Sequence, residues 1–384
     1  MVLEVRPLKN KCNLACKYCY ENTLKDAGNA KDFCEIEAVK SLLKKEDRPF
    51  ALFGGEPLLL DEKELESFFS LGFERYKRNI IQTNGTLIND NHIRMFGQYK
   101  AVVGISIDGP GECNDLRWAG TLEKTREATA KTENAILRLC SENIPTALIV
   151  TLHRQNAVRE KLPVMLDWLR GLIRKGARYV RLHILEAYNP VVLGRYSLSS
   201  EETSEAMLAF AALSEELKRD FIDIFNDMKH LLKGDDSRAS CVWRACDFYS
   251  SESVDTLGTN GEMINCGHSH KEGIEFLKAD TRGYERYIAL YHTPQEHGGC
   301  GECRFFLMCK GWCPSSAMNG DWRNRTAHCG TWKTLYKHFE HRMNSRGEKP
   351  LSMRQIRKDV EQEMLAAWTM GRNPTIRSIL KDMD

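Results

Sequence analysis

Between residues 2 and 185 short β-type runs alternate with amphipathic helical stretches, and this alternation limits the possible folds more than any other feature. Runs 2–5, 49–53, 79–83, 101–107, 146–151 and 179–185 read as strands, and helical spacing occupies 36–45, 62–76, 124–142 and 162–175. A parallel neighbour can be reached only by a crossover, so strand and helix in strict turn imply parallel βα units. Six units fit either an open or closed barrel or a doubly wound sheet. The polar loops favour the barrel. Segments 12–19, 54–57, 83–85 and 106–110 each follow a strand, and in a barrel such loops meet on one rim.

Beyond the sixth strand, residues 201–232 read as one long charged helix, with Phe210, Leu213, Leu217, Phe221, Ile224, Met228 and Leu231 at helical spacing. Gly234, Asp235, Asp236 and Ser237 read as a linker. From Ser240 cysteine, glycine and aromatic residues dominate, as in a small domain held by metal rather than by a large core. From Pro350 a helical tail resumes, with Ile356, Val360, Met364 and Trp368 at i, i+4 spacing. These breaks divide the chain into 1–235, 236–345 and a tail, 346–384.

The 55 basic residues nearly cancel the 53 acidic ones, so no broad basic face is expected and a nucleic-acid partner is disfavoured. Residues 1–10 are too short and polar for a signal peptide, and no apolar run is long enough to cross a bilayer, so the expected compartment is the cytoplasm. In that reducing setting fourteen cysteines point to metal or redox chemistry. Three lie at the N-terminus and eight between Cys241 and Cys329, while Cys34, Cys113 and Cys140 stand apart and read as small buried hydrophobes.

Cys12, Cys16 and Cys19 form Cys-x3-Cys-x2-Cys, with Tyr18 before the third. Three thiolates can hold a cubane iron–sulfur cluster and leave one iron open to a small molecule; a zinc knuckle is the plainer alternative. Gly54-Gly55-Glu56-Pro57 joins two glycines, which admit close approach to the backbone, to a carboxylate suited to an ammonium group. Gln82-Thr83-Asn84-Gly85 and Ser106-Ile107-Asp108-Gly109-Pro110 are polar turns that could equally be caps. Downstream, Cys300-x2-Cys303-x5-Cys309-x3-Cys313 is followed by Cys329 and preceded by Cys241, Cys246 and Gly261-x4-Cys266. Two structural zinc sites would also use such pairs, with His268 and His270 as further ligands; otherwise these are polar loop residues, His268 within reach of a substrate. Phe305, Phe306, Trp312, Trp322 and Trp332 either shield metal groups or fill an ordinary core.

Taken together, the cysteine loop and the GGEP, TNG and SxDGP turns resemble, in order and spacing, the radical S-adenosylmethionine (radical SAM) enzymes over most of residues 2–230. The resemblance implies a partial (β/α)6 TIM-like barrel. Cys12, Cys16 and Cys19 would ligate a 4Fe–4S cluster whose fourth iron binds S-adenosylmethionine. Gly54, Gly55 and Glu56 would receive the methionine amino group, Asn84 and Ser106 would lie against the cofactor, Tyr18 would pack near the adenine, and Arg117 would face the carboxylate. The second cysteine group resembles the SPASM extension of that family, which carries two auxiliary 4Fe–4S clusters and so brings the total to three. It implies one cluster on Cys241, Cys246, Cys266 and Cys313 and another on Cys300, Cys303, Cys309 and Cys329.

SPASM-bearing enzymes mostly modify peptides or proteins, so maturation of a ribosomally made peptide is the leading expectation, with electrons from a donor such as flavodoxin or ferredoxin. Oxidation of a sulfatase residue to formylglycine competes with it. The sulfatase-maturing relatives carry an aspartate, a base, after the cysteine matching Cys266, where this chain has Gly267. The first strand begins almost at Met1, so no leader-binding domain is expected before it; a leader would bind elsewhere on the chain, with the 350–384 tail as a candidate, or through a separate partner protein, and otherwise the tail is expected to pack as a helix on the barrel exterior. A small-molecule radical dehydrogenase or epimerase and a zinc-binding interaction module are the remaining alternatives. The residues that carry out the final proton transfer are not identified by the motifs.

Overall fold

Six parallel strands stand side by side in chain order: β1 (Leu3–Val5), β2 (Phe50–Leu52), β3 (Asn79–Thr83), β4 (Ala101–Ser106), β5 (Thr146–Leu152) and β6 (Tyr179–Ile184). A doubly wound sheet reverses direction at a switch point. No reversal interrupts β1 to β6, so successive crossovers advance the same way, as in a barrel. The computed structural model describes residues 2–22, 35–186, 189–239, 241–246, 250, 255–259, 261–264, 266, 268, 279, 282–293 and 299–383. Cys34, Gly267 and His270 lie outside these residues.

Between the strands run α1 (Ile36–Glu46), α2 (Glu62–Tyr76), α3 (Asp90–Gln98), α4 (Leu122–Ser141) and α5 (Leu162–Arg174). Their ends are set by local chemistry: Asp61 caps α2 through the amide of Lys63 at 2.9 Å, and Asn89 and His92 form a reciprocal capping box on α3. Ile81, Val103, Ile105, Leu148 and Val150 are buried, as strands covered on both faces require. Cys113 and Cys140 are buried as well.

Two short strands extend the sheet. β7 (Thr256–Leu257) pairs in parallel with β1, and β8 (Met263–Ile264) pairs antiparallel with β7. Strands of two residues carry no periodic signal, so sequence alone does not reveal them. A second difference concerns residues 201–232, expected as one helix. α6 (Pro190–Tyr196) is followed by two separate helices, α7 (Ser200–Glu216) and α8 (Asp223–Leu232). Lys218 is left-handed (φ 51°), and the chain then extends so that Phe221 O accepts the amide of Val180 at 2.8 Å beside a Val180–Ile222 bridge. The outer edge of β6 thus recruits backbone that helical periodicity alone assigned to a helix.

The chain divides into two compact units, Met1–Asp223 with Asp255–Leu277, and Ile224–Val254 with Lys278–Asp384. In the second, α9 (Glu285–His292), α10 (Phe306–Cys309), α11 (Cys329–Asn344), α12 (Arg357–Thr369) and α13 (Ile376–Met383) surround an aromatic core of Tyr287, Phe306, Trp332, Tyr336 and Trp368. Gly234 is closely packed: an added Cβ would lie 2.7 Å from Leu380. Arg286 is buried and donates to the carbonyls of Trp322, Lys310, Gly311 and Asn324 at 2.6–3.3 Å, which frames the loop around Cys309 and Cys313 from within.

Candidate functional site

The loop from Cys12 to Cys19 is held by its backbone. Ala15 N donates to Trp118 O at 2.7 Å and Lys17 N to Leu116 O at 2.8 Å, so the segment after β4 forms one wall of the loop. On the other side Gly55 N donates to Lys9 O at 2.7 Å and Glu56 N to Lys11 O at 2.8 Å. This contact explains both glycines. A Cβ on Gly55 would stand 1.9 Å from Lys11 O, and Gly54 adopts φ 116° with Lys9 O only 2.8 Å from an added Cβ. The close approach the glycines permit is therefore made by the chain's own 9–11 backbone.

Glu56 is fully buried and its carboxylate faces inward. Oε1 accepts from the Thr83 hydroxyl at 2.6 Å and from Leu58 N at 3.1 Å, and Oε2 accepts from Asn84 N at 2.7 Å. Burial raises its pKa, partly offset by those bonds. The side chain thus ties the GGEP turn to the TNG turn. Asn84 carries the tie onward: its Oδ1 accepts from Thr86 N at 2.9 Å, which orients Nδ2 toward Asn13 Oδ1 at 2.8 Å and Cys12 Sγ at 3.8 Å. From α4, the Thr132 hydroxyl donates to Asn84 O at 2.9 Å.

Tyr18 and Arg117 meet over Asp108. The Tyr18 hydroxyl donates to Asp108 Oδ2 and accepts from Arg117 Nη1 at 3.0 Å, and Arg117 lies 3.7 Å from Asp108 Oδ1. Asp108 Oδ1 also accepts from Thr151 N at 3.0 Å. His153 Nδ1 accepts from Gln155 N at 3.2 Å, so its proton sits on Nε2, 3.5 Å from Asp108 Oδ2. Burial drives the Asp108 pKa up, but the Arg117 charge and the His153 and Tyr18 contacts outweigh it and hold the carboxyl below its ordinary value. The Cys16 thiol is pushed up to about 12, first by burial, with Cys19 and Cys12 adding to the rise against Arg117. Ser106 stands one strand over, 3.5 Å from Gln82 Nε2.

Cys12, Cys16, Cys19, Tyr18, Gly54, Gly55, Glu56, Asn84 and Arg117 are thus joined by contiguous contacts at the C-terminal ends of β1 to β4. Asp108, His153 and Asn156 were missed among the candidate residues, although Asn156 donates to the carbonyls of Asp108 and Thr151, both at 2.8 Å. The signal existed: His153 and Asn156 follow β5 directly, where the rule that picked the first four loops applies again.

A second polar group joins the two edges of the sheet. His183 on β6 stacks on His268, beyond β8, with centroids 6.3 Å apart, and Tyr20 stacks on the same ring at 4.8 Å. Glu186 Oε2 lies 3.1 Å from His268 Nδ1. Burial lowers the His268 pKa, yet the Glu186 hydrogen bond and charge more than reverse this; burial and Arg181 depress His183 to about 4.

In the second unit Cys300, Cys303, Cys309 and Cys329 line one pocket, with Phe305, Phe306, Trp332 and Tyr336 in its wall. Burial pushes the Cys300 thiol up to about 12 and raises Cys309 and Cys329 as well, with neighbouring cysteines adding to each rise. Among the described residues no three His, Cys, Asp or Glu side chains gather in the way that would suit one bare metal ion. Four thiols around an apolar-walled cavity fit a multi-iron sulfur cluster. Of the other expected set, Cys241, Cys246 and Cys313 belong to the second unit and Cys266 to the first.

Comparison with known proteins agrees with this geometry. Residues 7–169 match the radical SAM superfamily. The chain is 24% identical over 88% of its length to a serine-type anaerobic sulfatase-maturating enzyme of Bacteroides thetaiotaomicron, and covers 88% of that protein. It is 32% identical to a cysteine-type anaerobic sulfatase-maturating enzyme of Clostridium perfringens over 30% of this chain, a third (34%) of that relative's length. Among solved structures, anSMEcpe with bound AdoMet and Cp18Cys peptide shares the fold (TM-score 0.70, 20% identity, 90% of this chain and 98% of that one). So does Streptococcus suis SuiB bound to its precursor peptide SuiA (TM-score 0.57, 12% identity, 86% and 76%).

Proposed function

We propose that this chain, which carries a radical SAM domain on the partial-barrel fold of that superfamily, oxidises a residue of a peptide or protein substrate. The observation that carries the reading is the convergence of the Cys12–Cys19 loop with Glu56, Asn84, Tyr18 and Arg117 on one rim. Cys12, Cys16 and Cys19 would hold the cluster that binds S-adenosylmethionine, and when bound this pair supplies hydrogen-atom abstraction through a 5′-deoxyadenosyl radical. Cys300, Cys303, Cys309 and Cys329 would hold one auxiliary cluster, and Cys241, Cys246, Cys266 and Cys313 are assigned to the other on the sequence resemblance alone.

The protein's own work is binding and exclusion. Because the Glu56 carboxylate is already occupied by three donors, the methionine amino group would be received by the backbone of the Gly54–Glu56 turn, which Glu56 holds in place. Arg117, oriented by Asp108 and the Tyr18 hydroxyl, would meet the cofactor carboxylate. Ser106 and Tyr18 would lie beside the adenosyl group. Electrons come from a small donor protein such as flavodoxin or ferredoxin.

Similarity along 88% of the chain to a sulfatase-maturating enzyme favours oxidation of a side chain to an aldehyde. Gly267 in place of the aspartate favours the second reading, maturation of a ribosomally made peptide. Anaerobic reconstitution tests the common core: about twelve irons per chain, as three cubane clusters require, and 5′-deoxyadenosine after dithionite and S-adenosylmethionine. Replacing Cys12, Cys16 and Cys19 by Ala should abolish the nucleoside and leave about eight irons. Stoichiometric zinc, or undiminished nucleoside from that variant, would refute the reading. Incubation with Cp18Cys peptide separates aldehyde from cross-link by mass.

A further inference from the structure

Two buried hydrogen-bond donors of the second unit have no acceptor among the described residues. α11 carries Cys329, Trp332 and Tyr336 at i, i+3 and i+7, which sets all three on one helical face. Trp332 is 2% exposed and Tyr336 0%. Neither the indole Nε1–H nor the phenol hydroxyl has a hydrogen-bond partner among the described residues. Both residues line the cavity of Cys300, Cys303, Cys309 and Cys329.

Leaving such a donor unmade is costly, and native interiors rarely tolerate it. Packing alone gives no reason for the Tyr336 hydroxyl, because phenylalanine would fill the same wall there; Phe305 already stacks on Tyr336 at 5.3 Å. The rings are also fixed: Trp332 lies 3.9 Å from Trp312, which in turn meets Trp243 at 4.7 Å. Two immobile donors therefore border a cavity lined by four cysteine sulfurs.

We propose that the Trp332 indole N–H and the Tyr336 hydroxyl donate hydrogen bonds to the sulfurs of the iron–sulfur cluster held by Cys300, Cys303, Cys309 and Cys329, and so raise its reduction potential. The inference rests on the cluster assignment above. Its physical basis is charge: reduction adds an electron to an anionic group, and donors to its sulfurs stabilise the more negative state. A cluster raised in this way accepts an electron from a substrate radical that is being oxidised more readily than one walled only by hydrocarbon. Trp332 and Tyr336 are positioning and tuning residues, not catalytic ones.

The test is a redox titration of the reconstituted full chain followed by electron paramagnetic resonance, comparing wild type with Trp332→Phe, Tyr336→Phe and the double variant. Iron and sulfide contents should match wild type in each single variant. One cluster's midpoint should move to lower potential, so that at the wild-type midpoint its reduced fraction falls at least threefold in the double variant, while the other clusters stay put. Pulsed measurement of exchangeable protons near that cluster should lose one coupled proton per substitution. Intact clusters with unmoved midpoints would overturn the proposal and assign the donors to water. Iron loss in either single variant would also overturn it, making the rings a structural wall. Failure of the ligand assignment reads differently: iron content would not fall when Cys300, Cys303, Cys309 and Cys329 are replaced.

Discussion

Replacing Glu56 by Gln removes one charge and reverses one hydrogen bond while changing almost no volume. The substituted amide can keep its carbonyl oxygen toward the Thr83 hydroxyl and Leu58 N, which now meet Glu56 at 2.6 and 3.1 Å. Its nitrogen must then face Asn84 N–H, whose acceptor at 2.7 Å has become a donor. A buried donor stripped of its acceptor costs about 1–3 kcal/mol. Relief of the buried charge offsets part of this, since burial alone raises the Glu56 pKa. A net loss of about 2 kcal/mol should lower the melting temperature of the first unit by roughly 4–8 °C, given its size. Asn84 also reaches Cys12 Sγ at 3.8 Å, so S-adenosylmethionine affinity should fall about tenfold with iron content retained. Calorimetry of the metal-free chain and equilibrium dialysis of the reconstituted one measure the two effects. Unchanged melting and unchanged affinity would refute the argument that Glu56 acts by fixing the turns.

Further outcomes follow from other buried groups. Asp108→Asn should cost roughly 3 kcal/mol, because it leaves the Arg117 charge buried without its partner. The folded-state pKa of Asp108 is depressed, so its stabilisation is complete above the unfolded value near 3.8 and lost as pH falls through the folded value. The gap between wild type and Asp108→Asn in urea denaturation should therefore hold from pH 7 to 5 and narrow below about 3.8. Arg286→Met strips donors from four carbonyls and should cost the second unit about 4 kcal/mol, read as early loss of its aromatic near-ultraviolet dichroism. Gly55→Ala drives a Cβ to 1.9 Å from Lys11 O, so the Cys12–Cys19 loop must shift; iron retention should drop by about four per chain.

Much of this was legible in the sequence because strand-then-loop order places chemistry on one rim whatever the details of packing. The alternation through residue 185 carried the six-strand order, and motif spacing brought Cys12, Glu56, Asn84 and Arg117 into one network. Two things were hidden. Periodicity reads local spacing, so it ran a helix through Phe221 and Ile222, which pair with Val180 along the β6 edge. The neighbours of the motif residues were hidden as well: Glu56 accepts from Thr83, Leu58 and Asn84, and Gly54 and Gly55 stand against the backbone of Lys9 and Lys11. Asp108 was visible within its turn, but its partners Tyr18, Arg117 and His153 come from three other segments, a convergence no linear pattern displays.

The central claim is that this chain takes a hydrogen atom from a peptide. Cp18Cys peptide deuterated at the cysteine β-carbon, incubated with reduced enzyme and S-adenosylmethionine, tests it directly. Mass spectrometry should find deuterium in 5′-deoxyadenosine with wild type, and none of the nucleoside with the Cys12, Cys16, Cys19 triple alanine variant. Modified peptide accompanied by unlabelled 5′-deoxyadenosine, or the nucleoside formed undiminished by the triple variant, would contradict the account.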